Sequence, residues 1–118
     1  MSYDINLNDP VTKQVIELDD KHDMKGGTHA LGGTTEACLN ITYNYSKILY
    51  AAFGKEGIRT IYGMSGAESI PVLDAVIDNL GDEVSENYWE ATEGNDKKSL
   101  MQLKALAVMR PDGVWAGD

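Results

Sequence analysis

The segment ESIPVLDAVIDNLGDEVSENYWEATEGND, residues 68–96, is the part of the chain that the rest has to accommodate. It carries nine acidic residues and neither Lys nor Arg: Glu68, Asp74, Asp78, Asp82, Glu83, Glu86, Glu90, Glu93 and Asp96. The other residues hold ten acids and ten bases, so the formal net charge of −9 lies within this segment. The fold therefore has to be built around one strongly acidic region.

The acidic segment begins as a helix. Ser65 and Glu68 have the spacing of a capping box, in which each side chain bonds to the backbone N–H of the other residue. The apolar residues that follow recur every three or four positions and so form one helical face: Ile70, Leu73, Val76, Ile77 and Leu80. Pro71 lies past the first turn if Ser65 is the cap, and within it if Ser69 is the cap. Gly81 fits a left-handed C-cap.

Three acidic residues follow one another on the opposite face of this helix. Asp74, Asp78 and Asp82 are spaced four apart, where like charges repel by about 0.2–0.5 kcal/mol per pair. Two of them lie toward the C-terminal end, where the negative end of the helix dipole disfavours them further. A solvated helix gains nothing from this arrangement, which favours a binding role for these carboxylates.

Length and composition predict one globular domain over residues 1–118. A hydrophobic fraction of 42%, with six Tyr and two Trp, is typical of a folded chain and not of a disordered acidic tail. No apolar run approaches the ~20 residues that cross a bilayer, and there is no secretory leader, so we expect a cytoplasmic protein. Cys38 is the single cysteine, which excludes an intrachain disulfide.

Alternating apolar and polar residues predict strands in the N-terminal part of the chain. Residues 3–7 and 15–18 have the pattern of a β-hairpin. Residues 35–42 continue the alternation and predict a third strand. A short β-prone run follows at residues 58–62 and predicts either a further strand or a connection.

Two more helices are predicted, one before and one after the helix of the acidic segment. Ser46 or Asn44 caps the first, and Gly54 ends it. Its apolar face includes Ile48, Leu49, Ala52 and Phe53.

The last helix is capped by Asn95 or Asp96 and stopped by Pro111. Its buried face comprises Leu100, Leu103, Leu106 and Ala107. Trp115 is expected to pack on the core and keep the C-terminal residues ordered. The pattern as a whole predicts an α+β fold: an N-terminal antiparallel sheet of about three strands with three helices packed on one side.

One hypothesis for function places a binding surface on the acidic segment. Carboxylates spaced along a rigid surface, with aromatic residues among them, can imitate a phosphate backbone and occupy an Arg- and Lys-rich groove. The same charge disfavours direct binding to nucleic acid or to anionic lipid, so we expect a basic protein partner. Tyr88 and Trp89 are also expected to tie their loop to the core. The candidate surface comprises Asp74, Asp78, Asp82, Glu83, Glu86, Tyr88, Trp89 and Glu90.

A competing hypothesis places a small-ligand or metal site, with either a binding or an enzymatic role, in the N-terminal half. Its candidate residues are His22, His29, Asn40 and Asn44. The His, Asp and Cys38 spacing matches no closed zinc site, so we expect no metal. The Gly-rich residues 26–34 lack the Gly-Lys-Ser/Thr and G-x-G-x-x-G patterns, so we expect no nucleotide cofactor. No recognisable triad, C-x-x-C or H-E-x-x-H is present, so no catalytic residue is assigned.

Three stretches resemble a group of small acidic proteins of bacteriophages and integrated mobile elements. They are NITYNYS at residues 40–46, GIRTIYGMSGAESIPVL at residues 57–73 and RPDGVWAGD at residues 110–118. The resemblance implies a mobile-element origin and no particular activity. Accessory proteins of such elements are often inhibitors of host defence nucleases, including anti-CRISPR proteins, and others are virion or replication components. The charge argument, together with this analogy, favours a non-enzymatic inhibitor that works in the cytoplasm of the host cell.

Overall fold

The computed structural model describes residues 2–22, 33–87 and 89–118. Five strands are β1 (Ser2–Asn8), β2 (Glu17–His22), β3 (Thr34–Glu36), β4 (Cys38–Thr42) and β5 (Val114–Gly117). Three α-helices are α1 (Ser46–Phe53), α2 (Gly66–Asn79) and α3 (Glu93–Met109), and two 3-10 helices span Tyr43–Tyr45 and Gly57–Ile61. The architecture is the predicted α+β class.

The main sheet is antiparallel and has the order β4-β1-β5. Ile5 lies opposite Leu39 on one side of β1, and Leu7 lies opposite Trp115 on the other. Because side chains alternate along a strand, the same face of β1 sends Tyr3 and both of these apolar residues into the core. The central strand of the sheet therefore comes from the start of the chain and one of its edge strands from the end.

The predicted hairpin is wrong in its main pairing. The β2 strand pairs with β3 in a separate two-stranded sheet, and β1 keeps only a short antiparallel bridge to the segment that follows it, between Asn8 and Val15. There the Ile16 N–H donates to the Leu7 carbonyl, the Leu7 N–H donates to Ala37, and the Ala37 N–H donates to Ile16, each at 2.9 Å. This three-way junction turns the chain at Ala37, which is why the predicted strand over residues 35–42 is divided into β3 and β4.

The start of α2 is the predicted capping box. The Glu68 N–H donates to the Ser65 hydroxyl at 3.0 Å, and the Ser65 N–H donates to the Glu68 carboxylate at 2.9 Å. With Ser65 as the cap, Pro71 lies inside the helix. The expected C-cap at Gly81 is wrong, because the helix ends at Asn79 and its C-cap is Leu80, which has an extended backbone.

The caps of the other two helices differ from those predicted. Tyr45 precedes α1 without a side-chain cap bond, and Thr42 caps the 3-10 helix before it. Gly54, with φ of 99°, ends α1 as expected. Thr92 caps α3, since its hydroxyl accepts the Asn95 N–H at 3.1 Å. The helix ends at Met109, ahead of Pro111, as predicted.

The β-prone run at residues 58–62 forms the second 3-10 helix instead of a strand. Ile58 and Ile61 are both buried, and their three-residue spacing is the period of a 3-10 helix.

The core lies between the main sheet and the helices, and α2 packs closely against α3. Trp115 is buried as predicted, and its indole N–H donates to the buried Ser69 hydroxyl at 2.7 Å. Gly66 allows α2 to approach the end of α3, because a Cβ there would lie 2.8 Å from the Arg110 carbonyl oxygen. Among the described residues, the fully buried Ile and Leu side chains are Ile5, Leu7, Leu39, Ile41, Leu49, Ile58, Ile61, Leu73, Leu100, Leu103 and Leu106.

Candidate functional site

The predicted acidic surface is built from the outer face of α2 and from residues 81–92, which we call the acidic loop. Asp78 on α2 is exposed, and Asp74 is partly buried. The acidic loop exposes all four of its carboxylates: Asp82, Glu83, Glu86 and Glu90. Tyr88, a member of the predicted surface, lies outside the described residues.

Two lysines of α3 neutralise part of this surface. Lys104 Nζ lies 2.6 Å from the Asp74 carboxylate, and Lys97 Nζ lies 2.7 Å from the Asp82 carboxylate. The hydrogen bond from Lys97 also holds the pKa of Asp82 below its usual range. Charge that is segregated along the sequence is therefore partly balanced in space, because α3 packs beside α2.

The remaining carboxylates of the surface are outside these ion pairs. Within the described ranges, Asp78, Glu83, Glu86 and Glu90 have no basic side chain within 4.0 Å. Glu90 accepts a hydrogen bond from the Ser85 hydroxyl at 2.6 Å. The unbalanced negative charge is thus centred on the acidic loop and not on α2.

Asn95, one of the two predicted caps, holds the acidic loop instead. Its side-chain amide donates to the Glu90 carbonyl at 2.9 Å and to the Asn87 carbonyl at 3.3 Å. Its Oδ1 accepts the Ser85 N–H at 3.3 Å. These bonds satisfy main-chain groups at three places, so the acidic loop is attached to the first turn of α3 by its backbone.

Gly94 completes this attachment. Its N–H donates to the Glu83 carbonyl at 2.8 Å, and a Cβ at this position would overlap the same carbonyl. The absence of a side chain lets the acidic loop rest directly on α3. The charged side chains of the loop lie on its exposed side.

Large apolar side chains are exposed beside these carboxylates. Trp89 is 45% exposed and Val84 is 50% exposed. The expectation that the aromatic residues tie the loop to the core is therefore wrong for Trp89. Its backbone carbonyl accepts a hydrogen bond from the Asn44 side chain at 3.0 Å. Val84 also lines a shallow depression with Met101 of α3, which is 53% exposed.

The described residues of the competing ligand hypothesis, His22, Asn40 and Asn44, bond to different parts of the chain. His22 Nε2 lies 2.7 Å from the Glu36 carbonyl oxygen, Asn40 donates to the Asp4 carboxylate across the sheet, and Asn44 holds the acidic loop. His29 and most of the Gly-rich residues lie outside the described part of the chain. Where the structure does describe the chain, no three His, Cys, Asp or Glu side chains form a metal-binding group.

Cys38 lies on β4 and is partly buried. Burial raises the pKa of its thiol, and the nearby carboxylates of Glu36 and Asp4 raise it further. The thiol is therefore protonated at neutral pH and is a weak nucleophile.

Asp96 differs most from its sequence interpretation, since it is fully buried. Its Oδ1 accepts a hydrogen bond from the Ser99 hydroxyl at 3.3 Å, while Oδ2 has no hydrogen-bond partner. Burial raises the pKa of this carboxyl to about 7. The sequence carried one signal of this burial, which is helical spacing. Asp96 precedes Leu100 by four residues and Leu103 by seven, so it shares their buried face.

Comparison with protein families, with characterised proteins and with solved structures finds no match to this chain. The resemblance to phage and mobile-element proteins therefore rests on the quoted stretches alone. None of the helices in the described ranges combines the length and apolar character needed to cross a bilayer.

Proposed function

We propose that this protein acts by binding, and that the acidic loop with the adjoining face of α2 docks onto a basic surface of another protein. One observation carries the proposal: four exposed carboxylates outside ion pairs share this surface with the exposed side chains of Val84 and Trp89. Apolar and aromatic anchors surrounded by charged groups are the usual composition of a protein-binding patch.

The support of the acidic loop favours such a role. Because Gly94 and Asn95 hold its main chain against α3, the loop keeps its shape without a partner. A surface that is already ordered loses less conformational entropy on binding. The exposed carboxylates would also accelerate encounter with a basic partner and make it sensitive to salt.

The ion pairs reduce the number of carboxylates that we expect at the centre of the interface. Asp74 forms an ion pair with Lys104, and Asp82 forms one with Lys97. These two carboxylates therefore offer less negative charge to a partner. We therefore place the centre of the interface on Glu83, Glu86, Trp89 and Glu90, with Asp78 at its edge.

The partner we propose is a nucleic-acid-binding protein of the host, whose basic groove the acidic surface would occupy in place of a phosphate backbone. The resemblance to proteins of phages and mobile elements supports a host defence nuclease as the first candidate. The protein would then be a non-enzymatic inhibitor acting in the cytoplasm of the host cell.

The test is affinity capture from a host lysate with the intact protein as bait, at low and at high salt. Proteins retained only at low salt and displaced by duplex DNA are the expected result, because DNA and the acidic surface would compete for one groove. A bait carrying Asp78→Lys, Glu83→Lys and Glu86→Lys should retain none of them. The matched control carries Asp19→Lys, Asp20→Lys and Glu56→Lys, three exposed acids outside the proposed surface.

Both triple variants change the net charge equally, so they separate the effect of the surface from that of total charge. Equal loss of capture in both would mean that only the overall charge matters. Retention of the same proteins by the Asp78, Glu83 and Glu86 variant, with circular dichroism confirming its fold, would refute the proposed surface.

A further inference from the structure

An open cleft lies where α1 meets the end of α2 and the first turn of α3. Its volume is about 350 Å³, and it is lined by Ile48, Ala51, Ala52, Val76, Asn79, Leu80 and Glu93. A second depression of about 480 Å³ shares Ile48 and Glu93 with it. That depression continues over Gly81, Asp82, Glu83, Ala91 and Thr92.

The walls of this cleft are apolar on the side of the helices. Ala51 is exposed and Ala52 and Ile48 are partly exposed on α1, while Val76 of α2 and Leu80, which caps α2, are buried. Small side chains on α1 thus leave apolar groups of α2 within reach of a side chain from outside.

The rim of the cleft toward the acidic loop is negatively charged. Glu93 uses Oε1 to accept the Gly81 N–H at 2.9 Å, Glu83 is exposed, and Asp82 shares its charge with Lys97. Among the described residues that line the two depressions, none is Lys or Arg. Lys97 lies at this rim, since its Nζ donates to the Leu80 carbonyl at 3.4 Å and pairs with Asp82. Among the described lining residues, the carboxylates outside an ion pair are those of Glu83 and Glu93.

We infer that this cleft accepts a basic amphipathic segment of the partner protein. One apolar side chain of the segment sits between Ile48, Ala52 and Leu80, and a neighbouring Arg or Lys meets the carboxylates of Glu83 and Glu93. The inference rests on the proposed function and names the kind of partner segment that the acidic surface recognises. Apolar anchors in a groove with charged flanks are an established mode of peptide recognition.

Charge complementarity selects this occupant over others. A second copy of the chain carries a net charge of −9, and like charge against the acidic rim disfavours it. Anionic lipid and nucleic acid are repelled for the same reason. Arg and Lys suit the boundary between the apolar walls of the cleft and its acidic rim. Their aliphatic stems cover apolar surface while their charged ends stay in water.

The probe is a synthetic helical peptide. Leu at positions i, i+3, i+4 and i+7 forms one face, and Arg occupies positions on the opposite, exposed face. Two matched peptides separate the two contributions: one keeps the charges and replaces every Leu by Gln, and the other keeps every Leu and replaces Arg by Gln. Binding to the intact protein is measured by fluorescence anisotropy, and the contact site is mapped from backbone amide NMR shifts. We expect the first peptide to bind at least tenfold more tightly than either control, with shifts at Ile48, Ala51 and Leu80.

Ala51→Trp fills the cleft without changing charge, and it should weaken binding of the amphipathic peptide at least tenfold. Val108→Trp is the matched control. It places the same side chain at an exposed apolar position of α3, fifteen residues and about 22 Å along the helix from Glu93. Its effect should stay within twofold. Glu83→Gln with Glu93→Gln should weaken binding and reduce its dependence on salt.

The outcomes separate this inference from the proposed function. Absence of peptide binding at millimolar concentration, or unchanged binding in a folded Ala51→Trp variant, overturns the cleft as the docking site. The proposed function still stands in that case if the acidic-surface variant loses its captured partner. Binding of the Leu-only peptide as tightly as the basic one overturns the basic partner segment. A fourth outcome is tight peptide binding while the variant of Asp78, Glu83 and Glu86 captures the same proteins as the parent. That outcome retains the cleft as a docking site and refutes the proposed function.

Discussion

Replacing Asp96 by Asn should alter the pH dependence of stability more than any other single change in α3. The Asp96 side chain is fully buried, and Oδ2 has no hydrogen-bond partner. Burial therefore raises the pKa of this carboxyl from 3.8 to about 7. The hydrogen bond from Ser99 opposes the rise, as does the positive end of the α3 dipole, but burial outweighs both.

Stability depends on pH here because the folded state holds the proton on Asp96 more tightly than the unfolded state does. Between pH 3.8 and pH 7 the folded state keeps the proton on Asp96 and the unfolded state loses it. Stability therefore falls as the pH rises through this window and levels off above it. At about 1.4 kcal/mol per pKa unit the full loss is about 4 kcal/mol, of which about 2–3 kcal/mol falls between pH 5 and pH 8.

Asp96→Asn removes this titration while keeping the shape of the side chain. The new amide N–H₂ replaces Oδ2 and is left without an acceptor, which costs on the order of 1–3 kcal/mol at every pH. The informative quantity is therefore the difference between pH 5 and pH 8, and not the absolute stability of the variant.

Urea unfolding of the parent and of Asp96→Asn at several pH values measures this difference directly. We expect the free energy of unfolding of the parent to fall by about 2–3 kcal/mol more than that of the variant between pH 5 and pH 8. Groups that titrate in both proteins cancel in the comparison. Parallel pH profiles for the two proteins would show that Asp96 ionises normally in the folded state and would refute the argument.

Two further predictions concern the core and the acidic loop. Leu73→Ala removes a fully buried side chain of α2 and should cost about 2–5 kcal/mol in urea unfolding; a loss below about 1 kcal/mol would mean that the core between α2 and α3 is not as described. Asn95→Ala removes the side-chain bonds to Ser85, Asn87 and Glu90 and should speed amide hydrogen exchange within the acidic loop at least tenfold, with little change at β1. Unchanged exchange in the loop would show that Gly94 and the Thr92 cap hold it without Asn95.

Local signals in the sequence determined the main helix of the acidic segment. Ser65 and Glu68 satisfy each other's backbone across one turn, and the apolar spacing that follows selects the buried face. Gly54 ends α1 and Pro111 follows the end of α3 for equally local reasons. Such features involve residues within one or two turns of each other, so no other part of the chain is needed to specify them.

Strand pairing depended on the whole fold. The β1 strand pairs with β4 and β5, and β5 lies at the other end of the chain. The alternation in residues 3–7 indicates a buried face, but it carries no information about which strand lies beside it. The run at residues 58–62 likewise has β propensity, yet burial of Ile58 and Ile61 on one side made it a 3-10 helix.

The acidic region shows the same division. The sequence by itself determined how much charge the segment carries and that part of it faces outward on α2. Helical spacing was already a signal that Asp96 lies on the buried face of α3. Only the packing of α3 on α2 decided that Lys97 and Lys104 would pair with Asp82 and Asp74. The physical reason is that electrostatic energy depends on the distance between charges and on their exposure to water, and both are set by residues far apart in the chain.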